Sequence, residues 1–72
     1  MITKKFLEAS KFELHSRVYE KRFAKRSFIN VEFLADVTIV QLEVNCSAVN
    51  LDHITTDEQI SNLYLALTGK SL

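Results

Sequence analysis

The clearest pattern along the chain is alternation. In residues 28–35 (FINVEFLA), Ile29, Val31, Phe33 and Ala35 fall on one side, and Phe28, Asn30, Glu32 and Leu34 on the other. Residues 37–45 (VTIVQLEVN) alternate too: Thr38, Val40, Leu42 and Val44 against Val37, Ile39, Gln41 and Glu43. Period-two patterning rich in β-branched residues predicts two strands. Joined at Ala35-Asp36, they form a hairpin in which Phe33 opposes Thr38, Val31 opposes Val40 and Ile29 opposes Leu42. All six then share one face, as a consistent register requires. Ala35 suits a type I′ turn poorly, because that turn wants positive φ, so a longer turn or a bulge is an alternative.

Helical spacing is clearest near the C-terminus. Ile60, Leu63, Tyr64 and Leu67 follow at i, i+3, i+4 and i+7, which predicts an amphipathic helix. Thr55-Thr56-Asp57-Glu58 reads as its capping box, with two acids at the positive helix end. Gly69 stands just past the last turn, where a left-handed residue ends a helix. A second capping box, Ser10-Lys11-Phe12-Glu13, predicts a helix over residues 11–26, with Phe12, Leu14, Val18, Tyr19 and Phe23 on a broad apolar stripe. Residues 2–9 read as a first strand, although Phe6 and Leu7 are adjacent rather than alternating. Residues 46–54 read as a loop with a short extended piece.

These elements give the order β-α-β-β-α: an α+β fold with a small antiparallel or mixed sheet and two helices on one face. Its connectivity is that of a ferredoxin-like sheet missing its last strand. It resembles in this respect the metal-transfer domains of that topology, but the Met-x-Cys-x-x-Cys loop that defines them is missing, so no function follows from the resemblance. With 72 residues, no Pro and one Gly, the chain is expected to be a single domain spanning 1–72. Apolar burial and chain ordering come out nearly equal for this length, each about 110 kcal/mol. The only cysteine, Cys46, can staple nothing within the chain. Oligomerisation is then the remaining common aid to stability. No apolar run is long enough for a membrane span or a leader, so the expectation is a cytoplasmic protein with no membrane partner.

Nine Lys+Arg balance nine Asp+Glu, but not evenly. Residues 1–26 carry a net +5 and residues 27–72 a net −5. The densest basic run is KRFAKR, residues 21–26, at the end of the expected first helix. Cations there stabilise a helix C-terminus without any ligand. They can also steer an acidic partner, and Arg17, Lys21, Arg22, Lys25 and Arg26 are the candidates for that role. If the helices cover one face of the hairpin, the opposite face is bare and offers Phe28, Leu34, Val37 and Ile39 as an apolar patch.

Chemistry-bearing residues are sparse. His15, His53, Cys46 and nearby carboxylates lack metal-ligand spacing. A Cys46 nucleophile with His53 as base would need an orienting group and an oxyanion pocket that nothing in the sequence indicates. No catalytic residue, metal or cofactor is therefore expected. The reading is a non-enzymatic protein-binding or assembly module, an adaptor or inhibitor, homodimeric through the bare sheet face. The alternative is a nucleic-acid-binding protein using the basic helix 11–26, with Tyr19 or Phe23 stacking on bases.

Overall fold

The computed structural model describes residues 1–72. Its elements run α1 (Lys4–Ala9), β1 (Glu13–His15), β2 (Val18–Ala24), β3 (Ser27–Phe33), β4 (Thr38–Val44), β5 (Ser47–Asn50) and α2 (Asp57–Thr68). The strands form one antiparallel sheet in the order β1-β2-β3-β4-β5. The fold is α+β, but it begins with a helix and continues as a plain meander. The β-α-β-β-α order with a crossover does not occur. Each strand instead turns straight back into the next.

The central hairpin keeps the register read from its alternation: Phe33 opposes Thr38, Val31 opposes Val40, and Ile29 opposes Leu42. Strand pairing ends there, and residues 34–37 make the connection, with the Leu34 N–H donating to the Val37 carbonyl at 2.8 Å. Ala35 and Asp36 stay out of the positive-φ region, so the loop is not the type I′ turn that Ala would resist. That turn occurs instead between β4 and β5. Asn45 (φ 51°) and Cys46 (φ 68°) both take left-handed conformations, and the residues read as loop beyond them pair with β4.

Residues 11–26 are not a helix. Ser10 closes α1, its N–H reaching the carbonyls of Phe6 and Glu8, and Lys11 at φ 67° turns the chain away. The apparent capping box at Ser10 is thus the end of one helix rather than the start of another. In β2, Tyr19, Lys21 and Phe23 face the helices, and Val18, Glu20 and Arg22 face away. The alternation was hidden because a lysine stands between two aromatics on the inner face. Its ammonium is accommodated there: Lys21 Nζ donates to the Ser10 carbonyl at 3.1 Å and lies 5.8 Å from the centre of the Tyr64 ring.

Residues 2–9 form no strand. Thr3 caps α1, its hydroxyl accepting from the Phe6 N–H at 3.1 Å. The adjacency of Phe6 and Leu7 suits a helix that lays both against the sheet, with Leu7 fully buried. At α2 the capping box is displaced by one residue from its expected place. Thr56 is the N-cap and Gln59, not Glu58, returns the bond. Gly69 at φ 74° ends α2, and its N–H bonds the Leu65 carbonyl at 2.8 Å.

One core results. Ile2, Leu7 and Phe12 from the N-terminal third and Ile60 from α2 close over Tyr19, Ile29, Val31 and Val40 of the sheet. Tyr19 meets Phe33 edge-to-face at 5.9 Å. Both helices therefore cover the same sheet face, the first of them being α1 and not the expected helix over 11–26.

Candidate functional site

The uncovered face is more polar than the hairpin alone suggested. The added strands β1 and β2 contribute Glu13, His15, Glu20 and Arg22 to it, beside Glu32, Gln41 and Glu43 from β3 and β4. His15 Nε2 lies 3.3 Å from Glu13 and 3.9 Å from Glu20. Asn30 is buried among these residues. Its amide donates to Glu43 Oε1 at 2.9 Å, and its carbonyl oxygen has no partner.

The four apolar residues proposed for this face do not form one patch. Phe28 pairs with Glu43, and Ile39 pairs with Glu32, four residues further along β3. At about 3.3 Å per residue the two are roughly 13 Å apart. Phe28 belongs to the end near the β2–β3 turn. Ile39 joins Val37 (54% exposed) and Leu34 (42% exposed) at the end near the β3–β4 loop.

The basic residues are dispersed as well. Arg17 occupies the β1–β2 turn, at the opposite end of β2 from Lys25 and Arg26 in the β2–β3 turn. Lys21 points inward. Arg22, Lys25 and Arg26 stay together, around a recess of about 660 Å³ shared with Phe28, Glu43 and Cys46, and Lys21 shares a second recess with Arg22 and Lys11. A carboxylate in the first recess opposes a phosphate, which weakens the nucleic-acid alternative.

The most specific feature lies at a sheet edge. β5 is only four residues long and pairs with Gln41–Val44 alone. The first half of β4 has no strand on its outer side. The Leu51 N–H donates to the Val40 carbonyl at 2.8 Å, which shows that Val40 directs its main-chain groups outward. Main-chain direction alternates along an antiparallel strand, so Thr38 also directs its N–H and carbonyl outward. No strand or side chain takes them. Beside this edge runs a slot of about 400 Å³, walled by Met1, Ile2, Val37, Ile39, Val40 and Ile54, with Asp52 also lining it.

The alternation names Val37 and Ile39 for the bare sheet face, in a patch with Phe28 and Leu34, and not for this edge, and it does not single out Thr38, Asp52 or Ile54. The signal for them is the length of β5, and the sequence of residues 46–54 shows a short extended piece without marking where it ends. No catalytic constellation accompanies the slot. Cys46 is exposed in the β4–β5 turn, and His53 lies beyond the other end of β5. No three His, Cys, Asp or Glu side chains converge on a point that would hold a metal. No helix is long and apolar enough to cross a membrane.

No family model matches this chain, and neither curated proteins nor solved structures offer a significant match.

Proposed function

We propose that this protein is a non-enzymatic binding module, an adaptor or inhibitor, that captures an extended segment of another protein as an added strand against the first half of β4. The observation that supports this is the unpartnered main chain of Thr38 beside an apolar slot. An exposed edge of this kind is a template for another strand, and adjoining pockets then select its side chains. Self-assembly through the whole bare face has less support, because Glu13, Glu20, Glu32 and Glu43 interrupt it.

A photo-activatable amino acid placed at Val37 tests the reading. In extracts of the native host it should yield an adduct with another protein, and Thr38→Pro should abolish it by removing the outward N–H. The same label at exposed Glu58, on α2, should give no such adduct. An adduct that survives Thr38→Pro would overturn the proposal.

A further inference from the structure

We infer, resting on the strand-addition reading, that the segment taken up by the β4 edge is cationic: an extended stretch alternating apolar residues with lysine or arginine, and not β4 of a second copy. On the helix-covered side Met1, Ile2 and Ile54 give alternate side chains of an incoming strand an apolar surface, while Ile39 stands on the other side of the sheet. The side-chain charges at the slot come from acids, and the terminal ammonium of Met1 is the one cation among its lining residues. Asp52 lines it, Asp36 stands exposed in the adjoining β3–β4 loop, and neither makes an ion pair within the chain. No lysine or arginine side chain lines the slot. Lys25 and Arg26 sit in the turn at the far end of the sheet; at the slot's own end Lys4 lies over the Phe33 ring and Arg17 is in the β1–β2 turn, and neither lines the slot.

The same charges oppose self-pairing. A two-fold pairing about Thr38 sets Asp36 of one copy opposite Val40 of the other. Val40 is bonded to Leu51, the residue next to Asp52. Two carboxylates on each side of the dyad would then be brought together, and like charges so placed favour other partners. A strand bearing lysines reverses the sign of that interaction. The gain is that of exposed ion pairs, so it acts on selectivity and encounter more than on overall affinity.

The test uses two fluorescent hexapeptides, one alternating lysine with valine and one alternating glutamate with valine, titrated into the isotope-labelled 72-residue chain. The lysine–valine peptide should shift the Thr38 and Val40 amide resonances. At low salt it should bind about tenfold more tightly than the glutamate–valine peptide, a difference that shrinks as salt shortens the screening length. Asp52→Lys, at an exposed position, should remove that preference while leaving the spectrum folded. Thr38→Pro should abolish both interactions, and if that variant does not fold, Asp36→Lys and Asp52→Lys carry the comparison. Equal binding of both peptides at Thr38 would overturn the cationic partner and leave strand addition standing. Failure of both peptides to reach Thr38 would overturn the two together. A concentration-dependent dimer that protects the Thr38 amide would replace the inference with self-pairing.

Discussion

Asp57 ties the two helix N-termini together. It accepts from the Thr3 N–H at 2.9 Å and from the Thr3 hydroxyl at 3.0 Å, while that hydroxyl accepts from Phe6. One carboxylate thus fixes the cap of α1 and sits in the first turn of α2, where the helix end favours negative charge. Asp57→Ala should cost about 1.5 kcal/mol, the scale of hydrogen bonds to a charged group. The neighbouring Glu58 is exposed and has no such partner, so Glu58→Ala should stay within about 0.5 kcal/mol. Denaturant titration of the two variants checks the difference.

Among the elements, the turns carry the least favourable local chemistry. The chain has one glycine and places five non-glycine residues at positive φ: Lys11, Ser16, Arg26, Asn45 and Cys46. Asn45-Cys46 fills a turn that ordinarily takes Asn-Gly. Cys46 carries a Cβ in a conformation that crowds it, and its side chain is exposed. Cys46→Gly should therefore raise stability by about 0.5–1 kcal/mol, visible as a later midpoint at unchanged slope. The opposite result would show that the thiol makes a contact that compensates for the strain. None of the hairpins, β3–β4 included, has a glycine in its turn. Without that signal only strands with clean alternation stand out.

For the whole molecule the core is small. Eight apolar residues are buried, and the folded chain exposes 4997 Å², somewhat above the roughly 4,600 Å² typical of a compact chain of this mass. Each core side chain therefore carries a large share of the stability. Ile60, the only fully buried residue of α2, holds that helix on the sheet. Ile60→Ala should cost about 2–5 kcal/mol, enough to unfold much of so small a domain, as circular dichroism would report. Leu67, predicted on the same stripe, is 39% exposed, so Leu67→Ala should be much milder.

What the amino-acid sequence determined by itself was local and periodic. The β3–β4 register follows from alternation, because a one-residue slip would put Ile29 and Val31 on the wrong face. The position of α2 follows from its apolar spacing and from Gly69. That the Ile29, Val31 and Val40 side of the hairpin is the buried one follows from its continuous apolar run. Tertiary structure decided the rest. Lys21 occupies an inward position because a carbonyl of Ser10 and the ring of Tyr64, distant in the chain, receive its ammonium. The stretch 11–26 is extended because its pairing with β3 outweighs local helix signals. The open half of β4 exists because β5 stops short of it and the chain then leaves the sheet. A main-chain group is left without a partner only when every neighbour has been placed, and no local pattern records that.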